Sequence, residues 1–254
     1  MKSLVKLLIH FVSRIIFRQK HVFMVSHMRS GTSVLSNIIL TDPCFYGIGE
    51  AHVMYRDRLS LGALLYKIAF VRGLKGCSAK YVYDKILHNE RVQCDMSHVA
   101  PSSKYIIVIR NPIDAIPSIA KVMEGLWQGD LNQQALVYYE QRIEWLGCFV
   151  EKLPPKAFFF LECEDLFEQP RPILDQLQQF LCLDHPLSES YAVNRWVGCS
   201  GIGDPSEHIK SGRLLARNRR IYDERAIPDE FRAAYEKYRD LRATLVAQYE
   251  KQNA

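Results

Sequence analysis

The stretch FMVSHMRSGTSVLSNIIL, residues 23–40, decides the fold. An apolar run stops at a short polar turn containing one Gly, and an amphipathic segment follows. Strand, turn and helix in this order hold phosphate groups through backbone N–H groups at the helix N-terminus. The nucleotide-binding pattern Gly-x-x-x-x-Gly-Lys-Ser/Thr is nevertheless absent. Ser26 stands where its first Gly belongs, Thr32 follows Gly31 where its Lys belongs, and the cation sits earlier, at Arg29. The turn therefore reads as a phosphate loop whose charge lies before the glycine.

Working outward, residues 21–25 (HVFMV) read as a buried strand and 31–40 as the helix after it. YIIVI (105–109) and AFFFL (157–161) are short apolar runs bounded by polar residues and read as further strands. Segments 113–124 and 132–152 carry helical periodicity, a further helix follows Pro170 and Pro172, and another opens at Pro228. Pro117 is expected in the first turn of its helix, or that helix bends. GCSGIGDPSEHIKSG (198–212) holds four Gly and reads as a long mobile loop. Strands alternating with helices predict an α/β fold: one domain over 21–254, a central parallel sheet with helices on both faces. Ligands of such sheets collect at the carboxyl ends of the strands. Two of those ends are loaded, HMRSGTS and RNPIDAIPS (110–118), the second setting Arg110 and Ser118 eight residues apart.

The 254 residues, 48% of them hydrophobic, suffice for a full core, and the formal charge of +5 is unevenly placed. No Asp or Glu precedes Asp42, and KSGRLLARNRR (210–220) is a second basic cluster. The basic residues are not interleaved with stacking aromatics, which argues against nucleic acid as partner. Seven cysteines, scattered and odd in number, fit a reducing compartment with most of them buried. Their spacing to His suggests no metal site. Residues 1–20 form a basic amphipathic segment with Leu4, Leu7, Leu8, Phe11 and Ile15 on one helical stripe. It is too short and too charged to span a bilayer, and it lacks a signal-peptide core. Either it packs on the domain or it lies in a membrane interface. The expected location is the cytoplasm, with the membrane surface as its alternative site.

These motifs together resemble the sulfotransferases that use 3′-phosphoadenosine-5′-phosphosulfate (PAPS), a P-loop-NTPase-like fold. RSGTS after the first strand resembles the family's 5′-phosphosulfate loop, and RNPIDAIPS resembles its 3′-phosphate motif. LECEDLFEQPRPILDQLQQFLCLD (161–184) resembles the third landmark, a strand ending in Tyr-Glu-Asp-Leu and then a helix closing with Phe-Leu-Gly-Leu. Cys163 replaces the landmark's Tyr, Cys182 replaces its Gly, and Pro117 is unusual within the second motif. Arg29, with the Gly49–Glu50 pair, resembles the carbohydrate and tyrosylprotein branches, where cytosolic members carry Lys at the Arg29 position.

The resemblance implies roles. Arg29 would stabilise charge on the oxygen bridging phosphate and sulfate, while Ser30, Gly31, Thr32 and Ser33 hold the 5′-phosphate. Arg110 and Ser118 would hold the 3′-phosphate, and Ser211, Gly212 and Arg213 would close over the nucleotide. Glu50, twenty-one residues beyond Arg29, is the expected base, with His52 as the lesser candidate. YVYDKILHN (81–89) resembles the Asp-Lys-x-Pro stretch of the tyrosylprotein branch, making Lys85 a second cation, although Leu87 replaces the Pro. The expected reaction is sulfuryl transfer from PAPS, without a metal, to a hydroxyl of a carbohydrate or glycolipid in a bacterial-type enzyme. The rivals are a nucleotide kinase of related fold and a non-catalytic membrane-associated binding protein.

Overall fold

A computed structural model describes residues 19–193 and 207–253. The amphipathic segment expected over residues 1–20 lies outside them apart from Gln19 and Lys20. In chain order the elements are β1 (Lys20–Ser26), α1 (Thr32–Thr41), β2 (Phe45–Tyr46), α2 (Leu59–Arg72), β3 (Tyr81–Ile86), α3 (Met96–Val99) and β4 (Lys104–Ile109). They continue with α4 (Pro112–Val122), α5 (Leu131–Glu151), β5 (Phe158–Glu162), α6 (Cys163–Glu168), α7 (Pro170–Leu181), α8 (Glu207–Lys210) and α9 (Asp229–Asn253).

All strand pairs are parallel, in the order β2-β3-β1-β4-β5. Side chains alternate across the sheet, so one strand feeds two cores. Phe23, Val25, Tyr105, Ile107 and Phe158 join the layer that includes α2, α4, α5 and α9. Val22, Met24, Ile106, Val108 and Phe159 join the layer of α1 and α7. This is the α/β architecture expected, and β1 lies at its centre with later strands added on both sides. The strand order therefore reverses at β1, and the crevice for a ligand opens beyond the carboxyl ends of β3, β1 and β4.

Several details differ from expectation. Pro117 is the sixth residue of α4, not in its first turn; Pro112 occupies that place, with the Asn111 side chain accepting from the Ile113 N–H at 2.9 Å. Pro117 has no N–H to offer Ile113 O, so one helical hydrogen bond is missing there. Cys163 alone of the described cysteines is buried, while Cys148 and Cys182 are exposed. Cys182 closes α7 in the left-handed region, φ 53°, at the position where the resembled landmark has Gly. The segment 198–212 falls largely outside the described residues, and its described end is the helical turn α8.

Candidate active site

The turn after β1 is built from internal bonds. Ser26 Oγ donates to Val108 O at 2.6 Å, and Ser30 Oγ donates to His27 O at 2.8 Å. His27 is fully buried; its Nε2 accepts from the Arg110 N–H at 3.0 Å, so Nδ1 carries the hydrogen and donates to Met28 O at 2.8 Å. Burial pushes its pKa down to about 3, which keeps the ring neutral and this bonding intact. His27 thus latches the β1 turn to the β4 turn, a role that sequence reading missed.

Helix α5 supplies the other latches. Tyr138 Oη accepts from the Met28 N–H at 3.0 Å and donates to Leu87 O at 2.8 Å, and Tyr139 Oη donates to Arg110 O at 2.7 Å. Arg142, 1% exposed, donates to Ser26 O, Ile86 O and Asn89 Oδ1 at 2.8–2.9 Å. Burial lowers its pKa only to about 10, so it remains a cation beneath the ends of β1 and β3. It neutralises no carboxylate in these bonds and adds positive potential to the crevice.

Arg29 (φ 64°) and Gly31 (φ 75°) both take left-handed backbone in the turn. At Gly31 a Cβ would lie 2.9 Å from Cys163 Sγ and 3.0 Å from Phe167, so only Gly fits. Cys163 therefore serves as packing behind the loop; burial pushes its thiol up to about 12. No side chain caps α1 and no acid occupies its first turn. The N–H groups of that turn have no acceptor within the helix, and the uncapped N-terminus attracts an anion.

The two loaded strand ends meet. Arg29 Nε donates to Ser118 Oγ at 2.9 Å, and Arg110 Nη1 donates to Arg29 O at 2.8 Å. The opposite side of the turn carries Lys85, buried, whose Nζ lies 3.4 Å from Ser33 Oγ and 3.7 Å from Glu50 Oε2. His52 Nδ1 is 3.5 Å from Glu50 Oε1, and burial lowers the His52 pKa. Arg29, Ser30, Gly31, Thr32, Ser33, Arg110, Ser118, Lys85 and Glu50 are thereby linked through one group of contacts, with His52 at its edge.

The Glu50 loop is fixed from β3. Asp84, buried, accepts from the Ala51 N–H at 2.8 Å and from Tyr55 Oη–H at 2.6 Å, while the Lys85 N–H donates to Gly49 O at 2.9 Å. Burial raises the Asp84 pKa from 3.8 to about 7. Between those values the folded chain holds a proton that the unfolded chain releases, so stability falls as pH rises through this window and levels off above it. Asp84→Asn is expected to flatten that slope, read from chemical unfolding midpoints between about pH 5 and pH 8. Equal slopes in both proteins would refute the assignment.

Ser211, Gly212 and Arg213 are not brought to this group. Tyr191 N–H donates to Gly212 O and Leu214 N–H to Glu189 O, both at 2.8 Å, and Ala192 N–H donates to Thr41 Oγ1 at 2.8 Å. These bonds seat the segment at the carboxyl end of α1, about 15 Å along that ten-residue helix from the phosphate loop. Further along, Arg217 N–H donates to Phe167 O at 2.8 Å and its guanidinium lies over the Phe167 ring, which touches Gly31. Arg217 thus packs behind the phosphate loop through Phe167. Arg219 pairs with Glu162, Asp165 and Glu168, and Arg220 pairs with Asp114. Among the described residues, no three of His, Cys, Asp or Glu converge as a metal set would.

A family model described as "Sulfotransferase family" matches residues 69–186. Solved structures with the same fold include the "Sulfotransferase Domain from the Curacin Biosynthetic Pathway", with 18% identity and a TM-score of 0.62 over 87% of this chain and 98% of that one. The "Sulfotransferase Domain from the Synechococcus PCC 7002 Olefin Synthase" gives 16% identity and 0.62 over 87% and 95%. A sulfotransferase from Alicyclobacillus acidocaldarius gives 16% identity and 0.50 over 70% and 87%. No curated protein matches the sequence.

Proposed function

We propose that the chain is a sulfotransferase, as the family model over residues 69–186 and the shared fold support, and that it transfers the sulfuryl group of PAPS to a hydroxyl of a carbohydrate or glycolipid. The carrying observation is the junction of the two strand-end motifs, Arg29 to Ser118 at 2.9 Å and Arg110 to Arg29 at 2.8 Å. Two loops in contact offer one ligand cations and hydroxyls from both sides, as a nucleotide with phosphates at its 3′ and 5′ positions requires.

In this reading Ser30 to Ser33 present the uncapped first turn of α1 to the 5′-phosphate. Arg110 and Ser118 take the 3′-phosphate, and Arg29 leaves Ser118 to do its work on the bridging oxygen. The acceptor oxygen attacks sulfur as the bond from sulfur to that bridging oxygen breaks. The acceptor proton passes to Glu50, and the electron pair stays on the phosphate, beside Arg29. Lys85, between Glu50 and Ser33, offsets charge on both sides of the transfer. Support for a carbohydrate acceptor comes from Arg29 and the Gly49–Glu50 pair, which resemble the carbohydrate and tyrosylprotein branches.

Two measurements test the proposal. Radiolabelled PAPS incubated with a glycan and glycolipid library should yield a labelled product. Titration with 3′-phosphoadenosine-5′-phosphate should show Arg110→Ala binding at least about tenfold more weakly, the loss of one charge-assisted pair. Nucleotide binding unchanged by Arg110→Ala would remove the 3′-phosphate assignment.

A further inference from the structure

Helix α2 is apolar on two sides. Leu61, Leu64, Leu65 and Ile68 are buried in the core. On the outer side Leu59, Tyr66 and Phe70 are 82%, 71% and 82% exposed, and Leu74 just beyond the helix is 74% exposed. Positions 59, 66 and 70 recur at helical spacing and form one stripe, with the Tyr66 and Phe70 rings stacked 6.4 Å apart. Single exposed apolar residues need no explanation, but an aligned stripe of this kind marks a contact surface.

Charge selects the contact. Between Asp57 and Asp84 the chain has no acid, while Arg58, Lys67, Arg72 and Lys75, all exposed, lie on α2 or directly beside its ends; Lys80 turns instead to Cys182 O. A second copy of so basic a face would repel the first, whereas anionic lipid complements it.

We propose that the exposed stripe of α2 docks on an anionic lipid surface, with Leu59, Tyr66, Phe70 and Leu74 in the interface and the exposed Arg58 and Lys75 at its two ends on the headgroups. Among the described residues no helix is long and apolar enough to cross a membrane, and the contact proposed is peripheral. Lys67 on α2 donates to Ala51 O and His52 O at 2.9 and 3.0 Å, so the docked helix directly braces the loop of Glu50. If that site transfers sulfate as proposed above, its acceptor is a hydroxyl on a lipid-carried molecule; the docking itself does not depend on that reading.

The test uses the full chain and sedimentation with vesicles of phosphatidylcholine, alone or with roughly 30% phosphatidylserine. The wild-type protein should partition onto the anionic vesicles and be released by raised salt. The double variant Tyr66→Ser with Phe70→Ser should partition about tenfold more weakly. Its unfolding midpoint should be unchanged, because both side chains lie outside the core. Failure of the wild type to bind anionic vesicles, or equal binding by the variant, would overturn the proposal. So would a wild-type dimer that the double substitution converts to a monomer, since the stripe would then be a self-interface.

Discussion

Arg29→Ala should lower kcat for sulfuryl transfer about 10³-fold, or about 4 kcal/mol of transition-state stabilisation, with a smaller loss in nucleotide affinity. The reason lies in where charge changes. In the ground state the guanidinium has Ser118 Oγ as partner at 2.9 Å, so part of its interaction is already satisfied. In the proposed reaction the bridging oxygen gains charge as the bond to sulfur breaks and becomes the stronger acceptor. That gain exists only on the way to the transition state, so its loss appears in kcat more than in binding. Arg29→Lys should retain more activity than Arg29→Ala, because the charge stays while the fork that reaches Ser118 is lost. Arg29 also holds a left-handed backbone, φ 64°, and Ala there keeps the Cβ that Arg already carries, so the fold should tolerate the change. Single-turnover rates beside nucleotide titrations separate the two effects. A kcat within about threefold of wild type would remove Arg29 from the chemistry.

What could be read beforehand follows from where partners lie. The β1 and β4 tips were legible because a short apolar run ending at polar residues is a local pattern, and each loop keeps its cation and hydroxyls within a few residues. Strand β3 was not read as a strand. Tyr81, Tyr83, Asp84 and Lys85 look like a surface segment, yet all are buried because each polar atom finds a distant partner. Tyr81 Oη donates to Leu181 O at 2.5 Å, and Tyr83 Oη shares a 2.5 Å bond with Ser36 Oγ. Asp84 takes the Ala51 and Tyr55 donors.

The same cause hid the latches of the site. His27 bonds the Arg110 backbone, and Arg142 bonds the ends of β1 and β3, contacts that only the folded topology creates. The one local hint was the pairing of Tyr138 and Arg142 on one face of α5, four residues apart. Ser211 to Arg213 went the other way: a basic, Gly-containing segment looked like a nucleotide clasp. Its place is set instead by pairing with Glu189 to Tyr191, and Arg217 packs on Phe167 behind the loop.

Glu50→Gln should reduce kcat by about 10²- to 10⁴-fold while leaving nucleotide affinity within a few-fold. The amide keeps the size of the carboxylate but cannot take the acceptor proton. Its position argues for this assignment over His52. Lys85 Nζ reaches both Glu50 Oε2 at 3.7 Å and Ser33 Oγ at 3.4 Å, so the carboxylate stands one cation away from the donor loop. His52 contacts the other oxygen of Glu50, at 3.5 Å, on the side away from Lys85. Burial keeps the imidazole neutral, so it could accept a proton, but only by relay through the carboxylate. His52→Ala should therefore cost only about fivefold, whereas a direct base would cost the full general-base factor. Lys85→Met should lower the rate with Glu50 intact, because the proton acceptor would lose the cation that couples it to the transferring group. If instead His52→Ala stopped turnover and Glu50→Gln did not, the two roles would exchange, and Glu50 would be the residue that orients the imidazole.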